Sequence, residues 1–333
     1  MLGLKYPIIQ APMAGGVANP TLAAAVSNAG GLGFLAAGYK SVEQVAKEYH
    51  ETKRLTDRAF GLNLFMPSRE EMDGALLAAY RARIQSAASE LGTVVGEPYD
   101  DDDGWEGKLR FIMKEKVEIV SFTFGCPSSD IIEALQRNGT YVIVTVTKME
   151  EAWIAVKAGV DALCLQGIEA GGHQATFHNG NDNLQELSLL ELIGQVRTEW
   201  DIPFIAAGGL MNAEAIRRVL AEGAMAAQLG TAFLLCPESG TNPVYREVLR
   251  SKRYKETAIT RAFTGRRARG LVNGFMAAYT SVAPAAYPYV HQMTQPIRKE
   301  NNPEYMSLWA GKGFQECRPL LAAELIRELM ETN

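Results

Sequence analysis

Eight times in succession a short apolar run gives way to a longer segment with helical spacing, and that alternation leaves few architectures open. The runs are "PIIQA" (7–11), "GLGFLAAG" (31–38), "AFGLNLF" (59–65), "VEIVSFTFG" (117–125), "TYVIVTV" (140–146), "DALCLQG" (161–167), "IPFIAAGG" (202–209) and "MAAQLGTAFL" (225–234). The last starts as strand and continues as helix. Helices are expected at 20–28, from Ser41 onward, from Arg69 to Leu91, and over 128–138, 148–159, 187–199 and 212–222. Local signals support their starts: Asn19 caps a helix with Pro20 in its first position, and Ser41 with Gln44 forms a capping-box pair. Repeated strand–helix units imply parallel strands joined by right-handed crossovers. Eight such units match a (β/α)8 barrel in count and size. A doubly wound sheet competes, but has no reason to stop at eight.

The expected architecture is α/β: a (β/α)8 TIM barrel over 1–239, with an insertion in the third crossover at about 90–116. A mainly helical C-terminal extension, 240–333, packs on the barrel or against a second subunit. The insertion carries four successive aspartates, Asp100 to Asp103, which read as a solvated loop. With 47% hydrophobic and 21% charged residues, the chain can bury an ample core. Its net charge of -5 argues against a nucleic-acid or anionic-membrane partner. No apolar run nears the roughly eighteen residues of a membrane span, and the N-terminus lacks a signal-peptide pattern. Cys126, Cys164, Cys236 and Cys317 show no paired spacing, so neither disulfides nor a metal site is expected. The setting that fits is cytoplasmic, as a monomer or homodimer.

In a barrel of this kind function gathers at the C-terminal ends of the strands. Those ends hold Gln10 to Met13, Ala36 to Gly38, Asn63, Thr123 to Gly125, Thr145 to Thr147, Gln166-Gly167, Gly208-Gly209 and Gln228 to Thr231. The set is rich in glycine and amides, without a carboxylate pair, a metal-ligand cluster or a strand-end lysine. A site without its own reactive apparatus points to a cofactor that brings the chemistry. Gly208-Gly209 and Gln228-Leu229-Gly230-Thr231 end the seventh and eighth runs, where barrels commonly hold a phosphate. Tight turns that need glycine are the other reading. Asn63 and Gln166 can each donate and accept, which suits the edge of a flavin ring, although an amide in the core would look the same. Together these features favour FMN. Gly171, Gly172 and His173 lie just past the end of the sixth run, where the backbone can approach something closely. His50 and His178 read as solvated. His291, Tyr287 and Tyr289 are weaker candidates for the pocket mouth, and Arg266, Arg267 and Arg269 read as surface or a subunit contact.

With those residues in view, the chain resembles the nitronate monooxygenase family, formerly called 2-nitropropane dioxygenases, and in particular its bacterial class I members. The likeness runs through "IIQAPMAGGVANPTLAAAVSNAGGLGFLAAGY", "GLNLF", "VSFTFGCP", "LQGIEAGGHQATF", "IPFIAAGGLMNAEAI", "AAQLGTAFLLCPES" and "AFTGRRARGLVNGF", in family order. The resemblance implies FMN held by Pro12, Met13, Asn63, Gln166, Gly171, Gly209 and Gln228 to Thr231, with His173 as the catalytic histidine. It implies oxidation of alkyl nitronates, propionate 3-nitronate foremost, by O2 to a carbonyl compound and nitrite. His173 would orient the anion by a hydrogen bond or by charge, or act as a base on neutral nitroalkanes. One departure stands out: Gln174 follows His173 where the family motif often has arginine, which takes a cation from the expected pocket mouth. The alternative is the FMN-dependent enoyl-acyl-carrier-protein reductase using NAD(P)H, which shares the "EAGGH" segment. Gln166, "SFTFG" and "QLGT" favour the monooxygenase.

Overall fold

The computed structural model describes residues 3–67, 73–180 and 186–331. Strands β1 (Ile8–Gln10), β2 (Phe34–Ala36), β3 (Gly61–Phe65), β4 (Ile119–Thr123), β5 (Tyr141–Val146) and β6 (Ala162–Gln166) come first. A short β7 (Gly172–His173) intervenes before β8 (Phe204–Ala207) and β9 (Ala226–Leu229). Leaving β7 aside, these strands pair in parallel in the order β2-β3-β4-β5-β6-β8-β9-β1. A parallel bridge between Ile9 and Leu32 joins the two ends into a barrel. The buried Gln10 side chain reinforces that seam, its Oε1 accepting from Phe34 N at 3.1 Å.

Side chains alternate along each strand, which explains why the runs read as continuously apolar. In β5, Val142, Val144 and Val146 face the surrounding helices while Ile143 joins the barrel interior. In β6, Leu163 and Leu165 point outward, and Ala162 and Cys164 inward. The interior is thus packed with side chains below the strand ends, and only the ends are open for chemistry.

The helices are α1 (Pro20–Asn28), α2 (Val42–Leu55), α3 (Gly74–Glu90), α4 (Trp105–Glu115), α5 (Ser129–Arg137), α6 (Met149–Ala158), α7 (Leu189–Glu199) and α8 (Ala213–Ala221). Asn19 caps α1 as expected, accepting from Leu22 N at 2.8 Å. Ser41 caps α2, but Gln44 donates to Glu48 instead of returning to the cap, so the capping box is only half made. The third crossover carries its insertion, and the structure shows which part covers the barrel. Phe111 and Ile112 of α4 enter the barrel's outer core, whereas Leu77, Tyr80 and Ile84 of α3 pack with the C-terminal segment. Helix α3 begins at Gly74, and the expected start at Arg69 lies outside the described residues.

After β9 the chain makes a short 3-10 turn, Thr231–Phe233, rather than a full eighth helix. It continues through α9 (Pro243–Ser251), the antiparallel pair β10 (Thr257–Thr260) and β11 (Ala268–Leu271), α10 (Gly274–Tyr279), α11 (Tyr289–Lys299) and α12 (Ala322–Met330). Helix α12 packs against α1 and α8, and its Leu325, Ile326 and Leu329 join the barrel's outer core. The last helix of the chain therefore fills the seat that the eighth unit leaves empty.

Candidate active site

A cavity of about 390 Å³ opens at the C-terminal ends of the strands. That volume falls within the roughly 300–1,000 Å³ that encloses drug-sized ligands. The structure brings every expected site residue to its wall: Pro12, Met13, Asn63, Gln166, Gly171, Gly172, His173, Gly208, Gly209, Gln228, Leu229, Gly230 and Thr231. Two groups on the wall differ in chemistry: a glycine side that includes Gly208, Gly209, Gly230, Thr231, Gly311 and Gly313, and a histidine side that includes Tyr39, Phe65, Phe124, His173, His291 and Arg298.

The glycine side allows close backbone approach. Gly208 and Gly209 have φ of 123° and 70°, a region that favours glycine. At cavity-lining Gly15 (φ 86°) and Gly172 (φ 75°), an added Cβ would meet no protein atom within 4 Å. Thr231 Oγ1 accepts from Gly311 N at 3.0 Å, which ties this end to the C-terminal segment.

The amides have more structural duty than the sequence suggests. Gln166 donates from Nε2 to His173 O at 3.1 Å and accepts at Oε1 from Ala175 N at 2.8 Å. It thus clamps the loop that carries the histidine. Asn63 Nδ2 donates to Ser121 Oγ and Thr123 Oγ1, both at 2.9 Å. Its amide nitrogen is therefore occupied, while the residue still lines the cavity.

His173 sits on β7, which pairs antiparallel with β11, rather than on a free loop. Its Nε2 lies 2.9 Å from Thr264 Oγ1. Phe124, Tyr287 and Trp309 surround the imidazole with ring centroids at 5.7, 6.2 and 5.6 Å. This apolar enclosure, and then the charges of Arg266 and Arg298, push the His173 pKa down to about 3. The imidazole is neutral at physiological pH, which removes the cationic reading of its role.

Arg266 is only 2% exposed, contrary to a surface role. Its guanidinium carbon lies 3.9 Å from the Phe124 ring centroid, and it donates to Thr176 O. Arg269 is buried as well, with Nε donating to Ile168 O at 3.0 Å. Arg267 donates to Gln174 Oε1 at 2.6 Å and pairs with Glu186. Gln174 is thus directed to Arg267 and does not line the cavity.

His291 and Tyr287, the weaker candidates, do lie at the site. His291 stacks on Tyr39 with centroids 4.1 Å apart and planes 6° from parallel. Tyr39, Phe65 and His291 also line a second cavity of about 400 Å³, whose wall includes Tyr287. Tyr289 turns away and donates to Asp100 Oδ1 at 2.6 Å. The aspartate run is only partly solvated: Asp103 pairs with the buried Lys108 at 2.7 Å and accepts from Tyr39 N at 2.8 Å. Tyr39 and Phe124 both hold left-handed backbone, φ 66° and 75°, strain of a kind that clusters at functional sites. His50 and His178 are exposed.

A (β/α)8 barrel with a ligand-sized cavity at its strand ends, whose wall combines glycine turns with a neutral histidine among aromatic rings, is built as an enzyme that acts on a small molecule. Among the described residues no group of His, Cys, Asp and Glu could hold a metal, and no helix is long and apolar enough to cross a membrane. The chain belongs to the nitronate monooxygenase family, whose model matches residues 1–332. It is 40% identical to the nitronate monooxygenase of Pseudomonas aeruginosa, over 99% of this chain and 97% of that one. It is 37% identical to a probable nitronate monooxygenase of Bacillus subtilis, over 99% and 96%. The nitroalkane oxidase of Streptomyces ansochromogenes superposes with a TM-score of 0.95 at 45% identity, covering 98% of this chain and 95% of that one. The protein is thus an oxidising enzyme, a monooxygenase or oxidase, of a family whose activity is on nitronates.

Proposed function

We propose that the cavity binds FMN along its glycine side and an alkyl nitronate beside His173, and that the enzyme uses O2 to convert the nitronate to a carbonyl compound and nitrite. Propionate 3-nitronate is the substrate we favour. The observation that carries the reading is one cavity whose wall holds both the glycine turns of the seventh and eighth barrel strands and a neutral histidine with a lining arginine. Gly15 and Gly172 line the cavity and leave open space beside their backbone, which fits a bulky cofactor such as a flavin. Pro12, Met13, Asn63, Gln166, Gly171, Gly208, Gly209 and the segment Gln228 to Thr231 would hold it. When bound, FMN supplies the oxidation of the nitronate.

The chain's own residues orient the anion and keep water away. Arg266 and Arg298 give the histidine side a positive potential that draws a nitronate in. The Thr264 hydroxyl can donate to His173 Nε2, or donate to Arg266 O at 3.2 Å and accept from Nε2. In the first arrangement the other ring nitrogen bears hydrogen and donates to a nitronate oxygen. In the second it is a lone pair, and a pKa of about 3 makes it too weak a base to take a proton from a neutral nitroalkane. The aromatic rings around His173 exclude bulk water from the reacting carbon.

The test incubates purified protein, checked for FMN by its visible spectrum, with propionate 3-nitronate in aerobic buffer. A parallel sample receives NADPH and a crotonyl thioester. Nitrite release with oxygen uptake, abolished in His173→Ala, is expected. Thioester-dependent NADPH oxidation without nitrite would replace this reading by the reductase, and a colourless protein would refute the flavin.

A further inference from the structure

Arg298 of α11 lines the cavity on the same side as His173. Its Nε donates to Thr294 Oγ1 at 3.0 Å, and its Nη2 donates to His291 O at 2.8 Å and to His291 Nδ1 at 3.2 Å. A guanidinium has five N–H groups, so the two on Nη1 have no acceptor among the described residues. No carboxylate of the described residues pairs with Arg298 either. Burial lowers its pKa to about 10, which leaves it charged at neutral pH. A cation held away from bulk water without a counter-ion is costly, and a site that keeps one has an anion to receive.

His291 adds a second donor. Arginine only donates, so the His291 Nδ1 facing Arg298 must be a lone pair. Burial first, and then Arg298, pushes the His291 pKa down to about 2, so the ring is neutral and its hydrogen sits on Nε2. Stacking on Tyr39 fixes the ring plane. Asp103 in turn holds the Tyr39 backbone, and Lys108 holds Asp103.

We propose that Arg298 is the specificity-determining residue of this site: it receives a carboxylate at the end of the substrate remote from the nitronate, with His291 Nε2 as a second donor. The assignment rests on the nitronate reading given above. Thr294 and His291 occupy Nε and Nη2, and Nη1 is the nitrogen left to donate a charge-assisted hydrogen bond to a carboxylate oxygen. The two ends of the substrate are then read by separate residues, the nitronate by His173 and the carboxylate by Arg298.

The test compares kcat/KM, by nitrite release, for propionate 3-nitronate and for the nitronate of 1-nitrobutane, whose tail is uncharged. Wild-type enzyme should favour the carboxylate-bearing substrate. In Arg298→Met that preference ratio should fall on the order of 100-fold or more, chiefly through KM of the carboxylate substrate. Arg298→Lys, which keeps the charge but not the shape of the guanidinium, should retain an intermediate preference and serves if the methionine variant does not fold. An equal fall for both substrates, or an unchanged ratio, would overturn the assignment. Calorimetric titration of the flavin-loaded protein with succinate requires no turnover. Succinate binding by wild type that Arg298→Met loses supports the carboxylate site even if no nitronate is oxidised, and binding that survives the substitution refutes it.

Discussion

Two histidines held neutral in one cavity make a prediction about acid stability. In the unfolded chain His173 and His291 take up protons near pH 6.5; in the folded chain burial and neighbouring arginines lower these pKa values to about 3 and about 2. The unfolded state therefore binds more protons below pH 6.5, and stability is lost as the pH falls from there toward the folded values. At pH 5.0 each histidine lies about 1.5 units below its unfolded pKa, which amounts to about 2 kcal/mol per residue and about 4 kcal/mol for the pair. Above pH 7 the contribution is level. Against a total stability of roughly 5–15 kcal/mol this is a large fraction. The assay is urea unfolding of the flavin-loaded protein at pH 7.5 and 5.0, for wild type and for the double variant His173→Gln/His291→Gln. Carboxylates and the cofactor titrate in both proteins and cancel in the comparison. The wild type should lose about 4 kcal/mol more than the double variant between the two pH values. Equal losses, or an imidazole resonance of either residue titrating near pH 6.5 in the native protein, would refute the account of the enclosure.

Three further substitutions address other parts of the site. Lys108→Met leaves Asp103 buried without its cation and should cost about 3–5 kcal/mol in urea unfolding. Adding Asp103→Asn should recover part of that loss. At Gly171 an added Cβ would lie 2.4 Å from Gly311 N and 2.5 Å from Ala310 C, so Gly171→Ala should lower both the Tm and the flavin retained per protein; wild-type values for both would contradict the packing. Thr264→Val keeps the volume of a buried side chain but removes the partner of His173 Nε2. It should lower kcat/KM for a nitronate about 10-fold, with Thr264→Ser restoring most of it; an unchanged value would separate the hydroxyl from the chemistry.

The barrel was legible because its signals are local. Each apolar run carries its own strand, and burial on both faces erases the alternation that would mark a one-sided sheet. The strand ends follow from the strands, so the residues at those ends were legible too. The lost signals are long-range. The pattern "LLAAELIRELM" announces a helix, yet nothing in it says that α12 returns to sit beside α1 and α8. Pairing of β7 with β11 converts an apparent loop into a fixed strand, and both partners are too short to stand out by periodicity. Charge misleads at Arg266 and Arg269, because carbonyl oxygens and an aromatic face satisfy guanidinium groups that composition assigns to solvent. Asp103 misleads in the same way, since a run of like residues hides one member with a buried partner.

The long-range contacts also explain why the barrel alone is an incomplete site. Its strand ends contribute glycines and amides, which suit a cofactor but carry no charge to select a substrate. The segment after residue 240 supplies what is missing: Thr264 against His173, Arg266 beneath Phe124, His291 and Arg298 from α11, and Trp309 beside the imidazole. The C-terminal segment lines the cavity with Gly311 and Gly313, with Asn242, Tyr245 and Met306, and with the side chains of His291, Arg298 and Trp309 around the histidine. Exchanging side chains on α11 therefore alters which substrate is held without removing the groups that would hold a flavin. The same segment is anchored at both ends, by the β7–β11 pairing and by α12 among the barrel helices. Its side chains are thus held by secondary structure rather than by a free loop, which is what a site must have if a hydrogen bond at Arg298 is to distinguish one substrate tail from another.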